Sequence, residues 1–213
     1  MSEAPASTVA TPRAVAAEDQ ARADFYALLA RLYGAAPDAA LLARLAAADE
    51  LPVEGGAAAA RDLASAWRTL TTASAAMDAA AAAEEYQDLF IGVGKSAVSL
   101  YASAYVSPSG GRVLPELRAA LAGLGLGRQD GVNVYEDHLA AICETMRVLI
   151  GGAPGVEPHP IMQQRAFFAA YVAPWVAACC NAIKISPIAN YYRRVAEFTE
   201  FFMVIERDSF AIE

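Results

Sequence analysis

Apolar residues in this chain return every three or four positions almost throughout. The clearest run is Ile188, Tyr191, Val195, Phe198, Phe202 and Ile205. Steps of three and four keep all six on one side of a 3.6-residue helix. No Val/Ile/Thr alternation bounded by turn residues offers a strand instead. A seam this regular is either a core face or a partner-docking face. The core reading is favoured, because an amphipathic helix usually buries that face.

The same period predicts the other helices. Phe25, Leu28, Leu29 and Leu32 form one stripe, ending near Gly34 and Pro37. Leu41, Leu42 and Leu45 begin a second, and Leu63, Trp67 and Leu70 a third. A fourth runs from about Ala76 through Tyr86, Leu89 and Phe90 until Gly92 stops it. From Ile91 to Arg112 the period fails, which predicts a long mid-chain loop carrying Tyr101 and Tyr105. A short helix is expected from about Leu114 to Leu124. The next is expected to start near Asn133, with Tyr135, Leu139, Ile142, Met146 and Leu149 on one face. Residues 151–160 are a Gly/Pro linker and the best internal boundary. A long helix is expected over Ile161 to Ile183. Ser186-Pro187 then fits the N-cap and N1 of the final helix. The expectation is an all-α, single-domain helical bundle over 21–213, with a disordered tail over 1–20, rich in Ala, Ser, Thr and Pro.

With 56% hydrophobic residues in 213, one sizeable core is affordable. A net charge of −8 argues against general nucleic-acid binding, which needs a basic face for phosphates. It suits a basic peptide partner better. Three cysteines (Cys143, Cys179, Cys180) without a CxxC form no disulfide framework or zinc ribbon. The absence of a basic n-region followed by an apolar h-region gives no secretory signal at the N-terminus. Ala166 to Ile183 carries no charge and approaches spanning length. Its Ala and Cys content, Pro174 and Asn181 favour a buried core helix, so no stable membrane insertion is expected.

Candidate chemistry is sparse. Gly94-Lys95-Ser96 resembles the end of a phosphate loop, but the required earlier glycine is Leu89 and no strand precedes it. The two histidines, His138 and His159, lie in no metal-ligand spacing, and no cofactor site emerges. Glu84-Glu85 are adjacent, so on a helix they point apart. The densest titratable stretch is Asn133-Val134-Tyr135-Glu136-Asp137-His138. Asn133 fits an N-cap with Glu136 at N3, as in a capping box. His138 then sits at the edge of the apolar stripe. It reads as a hydrogen-bonded edge residue, or as the base of a hydrolase using Asp137 or Glu144. Helical geometry opposes the second, because those carboxylates project away from His138.

Two blocks resemble the TorD/DmsD/NarJ group of cytoplasmic redox-enzyme maturation chaperones. Glu85-Tyr86-Gln87-Asp88-Leu89-Phe90-Ile91-Gly92-Val93-Gly94 is similar to the group's E-Y-x-x-L-F-x-G-x-G. It runs on to Tyr101-Ala102-Ser103-Ala104-Tyr105, similar to its P-Y-x-S-x-Y. Asp137-His138, with Met146 downstream, resembles E-P-x-D-H followed by a helix. Leu100 stands where proline is usual, and Val134-Tyr135 where Glu-Pro is.

The resemblance implies a TorD-like helical fold with no active site of its own. It implies binding of the twin-arginine signal peptide and apo form of a molybdenum-cofactor oxidoreductase in the cytoplasm, by a monomer or domain-swapped dimer. The implied peptide-binding residues are Tyr101, Ser103, Tyr105, Glu136, Asp137 and His138. Glu136 and Asp137 would offer exposed carboxylates, with the tyrosine loop and His138 lining an apolar groove. The alternative is a helical regulatory or assembly module docking a partner helix through its last seam.

Overall fold

The final helix carries its apolar seam into the core. The computed structural model describes residues 16–53, 57–92, 96–106, 112–128, 131 and 133–212. Among these there are ten α-helices, two π-helical turns and no strand. The bundle begins with α1 (Ala17–Gly34), α2 (Ala39–Ala46), α3 (Ala58–Ala76), α4 (Ala79–Tyr86), α5 (Ser103–Val106) and α6 (Val113–Gly123). It continues with α7 (Leu139–Gly151), α8 (Ile161–Phe167), α9 (Val176–Ile185) and α10 (Tyr191–Ile212). α10 packs on α3 and α9, α1 lies along α7, and α2 covers α3.

The expected seam is the core. Tyr191, Val195, Phe198 and Phe202 are fully buried, while Ile205 is half-buried. Ile188 departs from the seam, exposed in the turn before the helix. Phe25 meets Trp67, Phe198 and Phe202 edge-on, with centroids 5.3 to 5.6 Å apart, and Tyr26 meets Phe202 at 4.9 Å. Such pairs contribute roughly 0.5–1.5 kcal/mol each beyond the area they bury.

Buried hydroxyls along α10 are answered in pairs. Thr199 donates to the Val195 carbonyl at 2.7 Å, so the Tyr33 hydroxyl, 2.9 Å away, donates to Thr199. Ser74 donates to Leu70, so Tyr191 donates to Ser74 at 3.0 Å. Each satisfied pair avoids the cost of a stranded buried polar group.

Four boundaries differ from expectation. α1 begins at Ala17, so residues 17–20 belong to the helix rather than to a tail. Glu18 and Asp19 favour its positive end, and Asp19 pairs with Arg22 at 2.9 Å.

Ser186 closes α9 instead of opening α10. α10 starts at Tyr191 because its first amides are taken up elsewhere. The Glu85 carboxylate, from α4, accepts from Asn190 (2.8 Å), Tyr191 (2.9 Å) and Tyr192 (2.8 Å). Three otherwise orphaned N–H groups are thus satisfied by a buried anion at the positive helix end. Glu84, its neighbour, is exposed, so the adjacent carboxylates do point apart.

The expected long helix over Ile161 to Ile183 is broken. After α8 the chain takes a π-helical turn (Phe168–Val172), and α9 leaves at 47°. Pro174 has no N–H to continue the ladder, and a π turn is itself a usual cause of a kink. Among the described residues no single helix is long and apolar enough to cross a membrane. This bent pair would qualify only by length and composition.

The fourth difference, at the start of α7, belongs to the site. Gly92 does end its helix, at φ 63° after the π-helical turn Gln87–Ile91. The Gly/Pro linker over residues 151–160 turns tightly. Gly152 sits at φ 73°, where a Cβ would lie 2.7 Å from the Val156 carbonyl oxygen. One apolar core runs through helices on both sides of that turn. Gly94 and Lys95 of the phosphate-loop reading lie outside the described residues, as do residues 1–15 of the expected tail.

Candidate functional site

Two stretches distant in sequence meet at the start of α7. Ala102 N–H donates to the Asp137 carbonyl at 2.9 Å, and Leu139 N–H donates to Leu100 at 2.8 Å. Tyr101 and His138 thereby face each other across a short antiparallel bridge. The bridge holds His138 extended (φ −72°, ψ 140°), so the helix begins only at Leu139. The expected start at Asn133, with Glu136 at N3, does not form. His138 itself is the N-cap, its Nδ1 accepting from Ala140 N–H at 3.2 Å.

This geometry sets the state of the histidine. Nδ1 is an acceptor, so the proton of the neutral ring is on Nε2. Burial pushes the His138 pKa down to about 4, and the neighbouring Asp137 charge offsets this only in part. The ring meets Tyr101 edge-on at 4.9 Å. Burial and the Asp137 charge also raise the Tyr101 pKa.

The carboxylates are not the exposed pair expected. Asp137 is 3% exposed, and its Oδ2 accepts from Ser103 N–H at 3.2 Å, anchoring the start of α5. A carboxylate so placed clamps a loop and is closed to a docking arginine. Glu136 receives both Nε and Nη2 of Arg118, each at 3.0 Å, and that pairing lowers its pKa. Its side chain is 12% exposed, with both oxygens occupied by Arg118.

The open part of this face is aromatic. Tyr135, expected on the core stripe, is 56% exposed. It lies outside the helix because the helix starts four residues after it. Its ring is 6.4 Å from Tyr101, with the Arg128 guanidinium 5.9 Å above it. Tyr105 turns inward, donating to Ser99 O at 2.7 Å and stacking on Trp175 at 5.8 Å. Burial pushes its hydroxyl well above the usual range.

The bridge therefore brings Tyr101, Ser103, Asp137 and His138 together, with Glu136 beside them and Tyr105 bracing from within. Sequence reasoning missed Arg118 and Tyr135 as members of this face. Only the mismatch at Val134-Tyr135 with the chaperone pattern marked the second. It also missed that Glu85 caps α10, although Glu85 opens the first motif block.

The hydrolase arrangement does not assemble. His138 Nδ1 is committed, Asp137 holds a backbone amide, and Glu144 pairs with Arg147 at 2.7 Å. Among the described residues, no group of three or more His, Cys, Asp and Glu is placed to hold a metal ion. A cleft of about 670 Å³ lies elsewhere, and none of the six expected residues lines it.

A family model described as nitrate reductase delta subunit matches residues 57–181, more than half of the chain and both motif blocks. No curated protein matches it.

Proposed function

The chain belongs to the nitrate reductase delta subunit family, within the TorD/DmsD/NarJ chaperone group, and from that premise we propose that it holds the N-terminal, twin-arginine-type segment of a molybdenum oxidoreductase's catalytic subunit. The family has a chaperone role in redox-enzyme maturation and a molybdoenzyme catalytic subunit as its partner. In this reading, binding takes place in the cytoplasm and delays export until the cofactor is inserted.

The observation that carries the reading is the Tyr101–His138 bridge, which joins the two motif blocks into one surface with half-buried Tyr101 and exposed Tyr135 side by side. Tyr101 and Tyr135 offer flat apolar contact to the hydrophobic half of such a segment. Ser103, Asp137 and His138 shape this face, and Tyr105 supports it against Trp175. An arginine of the client takes Arg118's place on Glu136. A well-formed charged hydrogen bond contributes about 1.5–3 kcal/mol, an exposed ion pair under ~1. Aromatic contact therefore carries most of the affinity, and charge sets register.

The test is a titration of the whole protein with a synthetic twin-arginine signal peptide, followed by tryptophan fluorescence. Trp175, stacked on Tyr105, reports the loop. Replacing both Tyr101 and Tyr135 with alanine is expected to weaken binding tenfold or more, ~1.4 kcal/mol, with helicity retained. Unchanged affinity in that variant would remove the surface from the reading.

A further inference from the structure

At the far end of α7, about 18 Å from His138 by helical rise, lies the 670 Å³ cleft between the start of α1, the 157–161 turn and the end of α10. Its volume falls within the roughly 300–1,000 Å³ usual for ligand sites. Ile150, Pro158, Ile161 and Phe210 supply apolar lining, and Glu18, Asp19 and Glu157 supply carboxylates.

The inner wall already seats a guanidinium. Arg22 donates to both oxygens of fully buried Glu206 (2.7 and 3.0 Å), to Asp19 (2.9 Å) and to Gln164 (3.2 Å). It also lies 5.1 Å over the Phe210 ring. Arg22 is shared between Glu206 and Asp19, so it offsets neither of the two outer carboxylates. Glu18 and Glu157 are exposed and meet no cation among the described residues. The start of α1 contributes roughly half a positive charge. Glu18 and Glu157 outweigh it, and the mouth remains negative over an apolar floor.

From this charge and shape we infer that the cleft is a second docking site for the client, taking a basic segment whose arginine or lysine is followed by an apolar side chain. The cation sits between Glu18 and Glu157, and the apolar group rests on Ile161 and Pro158. The inference rests on the chaperone reading above but uses none of the same residues. Gripping a client at both ends of α7 raises its effective concentration at each end.

The probe is a 16-residue peptide with two arginines followed by leucines and alanines. It is titrated calorimetrically into the whole protein, with a glutamate-for-arginine peptide as control. Two peptides per chain are expected. E18Q/E157Q, both at exposed positions, is expected to remove one of these or weaken it about fivefold or more. E18K/E157K is expected to take up the glutamate peptide instead.

Loss of the site with Tyr101→Ala/Tyr135→Ala, but not with E18Q/E157Q, would overturn the second site and leave the first. Loss only with E18Q/E157Q would support the cleft and overturn the tyrosine face. No binding at all would overturn both.

Discussion

Two helices of this molecule begin in opposite ways. The first amides of α10 are received by Glu85, a buried charged side chain from a helix more than a hundred residues earlier. The start of α7 is held by its own neutral His138 and by two backbone hydrogen bonds to the tyrosine loop. A buried charge taken up by three N–H groups fixes the core helix in one position. A cap made from a neutral side chain holds a surface, and its strength depends on the protonation of one ring. The first start serves integrity, and the second shapes the face the family's motif blocks share.

Breaking the α10 start is expected to have the largest effect. In Glu85→Gln, the amide nitrogen of the new side chain cannot accept, so at least one buried N–H is stranded. Loss of a buried charged hydrogen-bond set of this kind costs about 3 kcal/mol or more. For a chain of this size, that lowers Tm by roughly 6–12 °C. Urea or thermal melts followed by circular dichroism read the loss. A Tm within a degree of the parent would show that Glu85 is not what fixes this helix. Peptide affinity measured well below the melt is expected to stay unchanged.

The contrast also explains which parts were legible in sequence. The Tyr191 to Phe202 seam could be read because burial on a helix repeats every three or four residues, and that periodicity survives in one dimension. The partner of its first turn could not, because Glu85 sits beside Glu84 in an alanine-rich helix and nothing local separates the buried carboxylate from the exposed one. The start of α7 was misread for a related reason. Asn133 and Glu136 have the spacing of a capping box, but the helix start is set by residues 100–102 pairing with 137–139. A local rule carries no information about that pairing. The bridge brings Tyr101, Ser103, Asp137 and His138 together, with Glu136 and Tyr105 beside them, but the exposure expected of the carboxylates differs. Asp137 faces Ser103 and Glu136 faces Arg118, partners that no local pattern announces.

The α7 start should be sensitive to acid through its histidine. His138 has a folded-state pKa of about 4, against an ordinary value of 6.5. The unfolded chain therefore binds more protons between those values. The contribution is present in full above pH 6.5 and is lost as pH falls toward 4, amounting to about 3 kcal/mol at most. His138→Asn keeps an N-cap acceptor but removes the titration. It is expected to cost under ~1 kcal/mol at pH 7 and to flatten the Tm profile between pH 6.5 and 4. The same slope in variant and parent would assign the acid sensitivity to other groups.

The smallest effect is expected where the α7 face meets solvent. Arg118 is open to water, so its pair with Glu136 adds little to stability, and Arg118→Gln should leave the melt unchanged. Its consequence is for binding. Removing Arg118 uncovers the Glu136 carboxylate for a client arginine, so affinity for a twin-arginine peptide is expected to rise about twofold to fivefold. Glu136→Gln should lower affinity by a similar factor and abolish the difference that Arg118 makes. A double-mutant cycle on the two residues, read by peptide titration at low and moderate salt, separates exchange of partners from a general charge effect. If Arg118→Gln strengthens binding equally with and without the Glu136 carboxylate, Arg118 acts by long-range repulsion, and the arginine of the client does not sit on Glu136.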